Sequence, residues 1–163
     1  MYKISMVSLG CPKNQVDAEM MLATIKKAGY EIGAPEAEAD AIIINTCGFI
    51  EEAKAEAIEN ILEAAQYKKT GKCKALIVTG CLAERYKNDV TEEIPEVDVC
   101  VGIGADGDIA KIVEKALGGE KRNFFAEKAA LDLNGDRILG SYPFSTYLKV
   151  GDGCDNCCTY CAI

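Results

Sequence analysis

The 163-residue chain contains no histidine. That absence excludes a Ser-His-Asp triad, a Cys-His nucleophile and an H-E-x-x-H zinc helix. Any metal must be held by thiolates, carboxylates or cofactor atoms. The chain also lacks a basic surplus: 18 Lys and Arg face 26 Asp and Glu, for a net charge of −8. Autonomous nucleic-acid binding needs a basic footprint to neutralise phosphates, so it is not expected. No stretch approaches the roughly 18 apolar residues of a spanning helix, and no partnership with a membrane is expected. The amino terminus lacks an apolar signal region with a cleavage site, which predicts a cytoplasmic location and reduced thiols. Nine cysteines are present. That is below the roughly 8–10% of a disulfide scaffold, and the odd number pairs poorly. Metal or redox work is the leading use for those that share a spacing.

With 49% hydrophobic and 27% charged residues the chain can bury a real core. Ile4–Leu9 reads as a short buried strand. A helix follows, with Asn14 as a cap, Asp17 and Glu19 near its positive end and Lys26 and Lys27 near its negative end. Its apolar face is Val16, Met20, Met21, Leu22, Ile25 and Ala28, and Gly29 stops it. Ala41–Asn45 is β-branched and unbroken, like a strand covered on both faces. Phe49–Tyr67 has helical periodicity at Ile50, Ala53, Ala57, Ile58, Ile61, Leu62 and Ala65. Ala75–Thr79 is a third strand, Leu82–Lys87 a short helix and Val97–Val101 a fourth strand. Ile109, Ile112, Val113, Ala116 and Leu117 line a last helix, ended by Gly118-Gly119. The alternation predicts an α/β fold with a doubly wound parallel sheet over 1–118. Residues 119–143 read as a connector. Ser145–Val150 reads as one more strand, feeding a cysteine-rich tip. There is no internal repeat.

Cys11, Cys47 and Cys81 each follow one of the first three strands, about one β-α unit apart. Parallel strands point the same way, so the three thiols should emerge on one edge, beyond the carboxyl ends where open α/β sheets bind ligands. Gly10, Gly48 and Gly80 adjoin them and would let the backbone pass close to a bulky cofactor. Three thiolates could hold a 4Fe–4S cluster with one iron open. The alternatives are a zinc ion or three buried structural cysteines.

The tip places Cys154, Cys158 and Cys161 in a C-x3-C-x2-C run, with Tyr160 before the last thiol. A loop of that length can wrap three corners of a cubane cluster. It is similar to the cluster loop of the radical S-adenosylmethionine (SAM) enzymes. A zinc knuckle or an exposed redox loop is the alternative. Cys157 makes a second pattern, C-x-x-C with Cys154, but only the 154/158/161 set uses a known cluster spacing. Three other features carry less. Gly102–Gly107 matches G-x-G-x-x-G between a strand and a helix, but no acidic residue stands about 20 positions on at a second strand end. Cys100 reads as core, and Cys73 as solvent-side at the opposite sheet edge. The acidic run from Glu51 to Glu63 reads as a solvated helix face.

Two cysteine triads in this order resemble the methylthiotransferases. L-G-C-P-K-N (9–14), N-T-C-G-F-I (45–50), V-T-G-C-L-A-E-R-Y (78–86) and Y-L-K-V-G-D-G-C-D-N-x-C-T-Y-C-A-I (147–163) carry the likeness over essentially the whole chain. Pro12-Lys13-Asn14 and Gly48-Phe49-Ile50 are closer to the RimO-type branch, which modifies a ribosomal protein, than to the tRNA-modifying branch. The resemblance implies an N-terminal iron–sulfur domain over 1–118 and, over 144–163, the first strand and cluster loop of a truncated radical-SAM barrel. Cys11, Cys47 and Cys81 would bind an auxiliary 4Fe–4S cluster carrying the sulfur to be inserted. Cys154, Cys158 and Cys161 would bind the cluster that takes and cleaves SAM. The resulting radical would act on the β-carbon of an aspartate in a small-subunit ribosomal protein, with a second SAM supplying the methyl group. An electron donor such as a flavodoxin or ferredoxin is implied as a partner. No residue of this chain is expected to act as a catalytic acid or base. Two departures stand out. Cys157 occupies a position where a basic residue is more usual. The chain also ends two residues after Cys161, before the rest of the barrel and the family's small β-rich binding domain. By itself it is expected to be inactive, and a non-catalytic iron–sulfur module is the alternative reading.

Overall fold

Strands and helices alternate along the chain. The computed structural model describes residues 1–126, 135–140 and 144–161. Five strands, β1 (Lys3–Ser8), β2 (Glu31–Ile32), β3 (Ala41–Thr46), β4 (Ala75–Gly80) and β5 (Val99–Val101), form one sheet. Every pairing is parallel, and the strand order is β2-β1-β3-β4-β5. Helices α1 (Pro12–Lys27), α2 (Glu51–Thr70), α3 (Cys81–Tyr86) and α4 (Asn88–Glu93) lie between strands, and α5 (Ile109–Leu117) follows β5.

The unbroken β-branched run of β3 is explained by what covers it. Successive strand side chains point to opposite faces. Ala41 and Ile43 pack with Met21 and Ile25 of α1 and Ile109, Ile112 and Val113 of α5. Ile42 and Ile44 pack with Ala57, Ile61 and Ala64 of α2 and with Leu82 and Ala83 of α3. All six residues of β3 and all six of β4 are buried. Each fully buried isoleucine contributes roughly 1.5–3 kcal/mol by leaving water. Helices on both faces make the sheet doubly wound.

Helix ends follow their sequence signals with instructive exceptions. Gly29 stands just past α1 with φ +90°, and the Tyr30 N–H reaches back to the Ile25 carbonyl. This left-handed stop is the one glycine allows. Asn14, by contrast, is not a cap. α1 starts at Pro12, whose missing N–H costs nothing at a first turn, and Asn14 is buried inside the helix. Leu62 is half exposed, while Ala64 takes the inward position on α2. The acidic side chains of α2 face solvent, as expected. α3 matches the expected Leu82–Lys87 helix, and Lys87, at φ +45°, separates it from a further helix, α4.

Two expectations fail on packing. Cys73 lies at the amino-terminal edge, opposite the triad, but it is buried among the residues under α2, with its Sγ 3.3 Å from the Ala75 carbonyl. Residues 145–150 form no strand. Extended backbone becomes a strand only beside a partner with free N–H and C=O groups, and none lies alongside among the described residues. No helix among them is long and apolar enough to cross a membrane.

Candidate metal centre

The sheet order reverses between β1 and β3, the position where ligands bind in open α/β sheets. Cys11 follows β1 and precedes the first residue of α1, and it is exposed. Cys47 follows β3 and is buried. Cys81 opens α3 directly after β4 and is partly buried. All nine cysteines are free thiols.

The glycines beside these thiols also have a job within the protein. Each lets one cysteine loop touch the next. A Cβ on Gly10 would fall 2.4 Å from Cβ and 3.1 Å from Sγ of Cys47. A Cβ on Gly48 would fall 3.0 Å from the Cα of Leu82, beside Cys81. A Cβ on Gly80 would fall 2.3 Å from the Thr46 carbonyl oxygen, beside Cys47. Gly10 and Gly80 also have φ of +91° and +93°, a conformation that side chains strain. The three loops are therefore interlocked before any ligand is considered.

Asn14 joins them by hydrogen bonds. Its Nδ2 donates to the Leu9 carbonyl (3.0 Å) and the Thr46 carbonyl (2.8 Å). Its Oδ1 lies 3.7 Å from Cys81 Sγ, which donates to it. Asn45 Nδ2 in turn donates to the Asn14 carbonyl at 2.8 Å. One asparagine thus ties the ends of β1 and β3 to the thiol after β4. No cap reading could have found it; its place within L-G-C-P-K-N, three residues past Cys11, was the available signal.

Burial pushes the Cys81 thiol above its usual range. The Lys13 ammonium opposes this, and the Cys47 and Cys11 thiols add to it. The three sulfurs therefore sense one another. Among the described residues, no three Cys, Asp or Glu side chains converge on a point that could hold a single metal ion. Zinc needs four donors around one ion. A cubane cluster takes each thiolate at a different iron.

The tip is built differently. Cys154, Cys157, Cys158 and Cys161 are all exposed, as is Tyr160. Its internal bonds include the Cys161 N–H to the Cys158 carbonyl (3.0 Å) and Asn156 Nδ2 to Cys154 Sγ (3.4 Å). Cys157 has φ +48°, which few non-glycine residues adopt. A groove of about 460 Å³ runs beside Cys11, with Gly10, Pro12, Glu19, Gly140 and Tyr147 on its walls.

The glycine-rich loop after β5 is a 3₁₀ segment, Ile103–Asp108. Its Ile103 N–H donates to the Glu84 carboxylate of α3 at 3.0 Å, and a Cβ on Gly102 would meet that carboxylate at 2.5 Å. An anion already occupies this amide, so the loop braces α3 and offers no phosphate cradle there. Cys100 is core, as expected, and burial pushes its thiol up to about 12.

Residues 3–102 match the model of a family described as "Uncharacterized protein family UPF0004". A ribosomal protein uS12 methylthiotransferase RimO of Desulforamulus reducens is 50% identical over 165 residues, covering 100% of this chain and 37% of the relative. Proteins of the same name from Pelotomaculum thermopropionicum and Geobacter sulfurreducens are each 49% identical, covering 99% of this chain and 36% of theirs. The chain spans a little over a third of the length of these relatives. With its five-stranded parallel sheet and the matched stretch running from β1 through β5, the chain belongs to the UPF0004 family.

Proposed function

We propose that this chain is the cluster-carrying N-terminal part of a radical-SAM methylthiotransferase acting on ribosomal protein uS12, the activity named for its relatives. In this reading residues 1–118 form the auxiliary-cluster domain, 119–143 a connector and 144–163 the start of the SAM-binding part. The observation that carries the reading is the interlocked set of loops holding Cys11, Cys47 and Cys81 at one sheet edge.

Cys11, Cys47 and Cys81 would hold one 4Fe–4S cluster, and Cys154, Cys158 and Cys161 a second that also takes SAM. When bound, these groups supply reductive SAM cleavage and sulfur for insertion at an unactivated carbon, where general-base chemistry has no useful proton to remove. The chain's own residues prepare the site. Asn14 orients Cys81, and the glycines fix the loop spacing. Lys13 sets a positive charge within range of Cys81, which offsets the repulsion of three thiolates in a small volume. The aspartate β-carbon of uS12 as target, the electron donor and the cytoplasmic setting follow from the family resemblance.

Anaerobic reconstitution with iron and sulfide tests the reading. The expected result is about eight irons per chain, from two clusters with three thiolates each. Replacing Cys11, Cys47 and Cys81 together with alanine halves the iron. Tightly bound zinc without iron–sulfur absorbance would overturn it.

A further inference from the structure

Asp17 and Glu19 are buried on α1, at 9% and 3% exposure. They sit too far along the helix to serve its first turn, which holds no acidic residue. A carboxylate taken out of water without a partner is costly by several kcal/mol. Besides Lys13 and Gln15 on the same helix, each carboxylate takes a cation from the far end of the chain. Arg137 Nε donates to Glu19 Oε2 at 3.1 Å, and the Gly140 N–H donates to Glu19 Oε1 at 3.1 Å. Lys149 Nζ lies 2.8 Å from Asp17 Oδ1, and its side chain is only 8% exposed.

Around Asp17 the charges alternate. Lys13 pairs with Asp17 (2.8 Å) and with Asp152 (3.7 Å), while Lys149 pairs with Asp17 (2.8 Å) and Asp152 (2.6 Å). Two cations and two anions close a ring, each touching both opposite charges. Lys13 stands two residues after Cys11, and Asp152 two residues before Cys154. Exposed ion pairs contribute little, but this ring is largely shielded, and opening it at Lys149 would leave buried Asp17 with Lys13 as its one cation in the ring.

We propose that the Lys13–Asp17–Lys149–Asp152 ring is a clasp that holds the root of the cysteine tip against the sheet-edge cysteines. These four are positioning residues; none is offered as a ligand. The functional meaning rests on the two-cluster reading, but the clasp is tested without iron, so the two fail separately.

The test is amine labelling of the intact metal-free chain with acetic anhydride, read residue by residue by mass spectrometry. Lys149 is expected to label at least tenfold more slowly than exposed Lys111. In Asp17→Asn and in Asp152→Asn, Lys149 approaches the Lys111 rate. Lys68, mostly shielded at the opposite sheet edge beside Asp98, reports on the fold and stays slow throughout. If Lys68 also becomes fast in Asp17→Asn, the fold is lost, and Asp152→Asn decides. Native Lys149 labelling as fast as Lys111, or Lys149 staying slow in Asp152→Asn, overturns the proposal.

Discussion

Cys11, Cys47 and Cys81 reach one edge from three separate β-α units, while Cys154, Cys158 and Cys161 lie together in one short loop. The first set is held by the whole sheet: buried β3 and β4 fix where each strand ends, glycines lock the loops, and Asn14 ties them. The second set sits in solvent and is anchored at its root by Lys149 and Asp152. A distant set costs more closure entropy, and here that cost is covered by core burial. A contiguous set needs little folding to come together, but nothing in it imposes a single arrangement. The sheet-edge site should therefore be stiff and coupled to global stability. Beyond its clasped root, the tip should contribute little to that stability.

The widest gap is expected between two glycines. Gly80→Val adds a side chain at φ +93° against the Thr46 backbone. Strain and overpacking together should lower stability by about 3–4 kcal/mol. Gly153→Ala, also at positive φ but with nothing near it, carries the backbone strain alone and should cost about 1 kcal/mol. Urea unfolding followed by circular dichroism compares them, and equal midpoints would break the contrast.

Asparagines give the next largest difference. Asn14→Ala removes two side-chain donors and leaves the Leu9 and Thr46 carbonyls with fewer partners. It should cost about 2–3 kcal/mol. Asn156→Ala in the tip should be neutral within about 0.5 kcal/mol. The same unfolding curves show it.

Thiol chemistry sharpens the comparison without mutation. With iodoacetamide at pH 8, the tip cysteines should alkylate on the order of a hundredfold faster than buried Cys100, whose thiol is pushed up to about 12. Mass spectrometry of the metal-free chain reads the order. Rapid labelling of Cys100 would mean that β5 opens readily.

The smallest effect concerns Asp106, which accepts a hydrogen bond from Thr79 Oγ1 at 3.1 Å. Burial raises it to about 7, with Asp17 adding to the shift, while Thr79, Lys13 and Lys149 oppose it. An unfolded aspartate titrates near 3.9. Between about pH 4 and 7 the folded chain holds the extra proton, so the stability present at low pH is lost as pH rises through the folded value and then levels off. Asp106→Asn should flatten that slope and, allowing for solvent screening, gain about 1–2 kcal/mol at pH 8. Unchanged slopes of stability against pH would remove Asp106 as the cause.

The elements were legible because their signals are local. The apolar runs of β3 and β4, the periodicity of α5 and the Gly29 stop can each be read within a few residues. The convergence of three thiols needed only strand direction. Asn14, Asp17 and Glu19 were misread for a shared reason. Near a helix start, a polar residue looks like a cap or a dipole partner, and its real partners lie 32 residues away at Thr46, 132 at Lys149 and 118 at Arg137. Cys73 was misplaced because the cover from α2 is a packing fact, with no trace in its K-C-K neighbours. The 145–150 segment has strand composition, but strand formation needs a second strand.

Sequence alone determined the α/β alternation, the two cysteine sets and the absence of histidine. These rest on residue identity and spacing along one chain. Only the tertiary structure decided that the glycines interlock the loops, that Asn14 joins three strand ends, and that buried carboxylates on α1 receive cations from the far segment. Those outcomes depend on which surfaces exclude water together, and that is settled when distant parts of the chain meet.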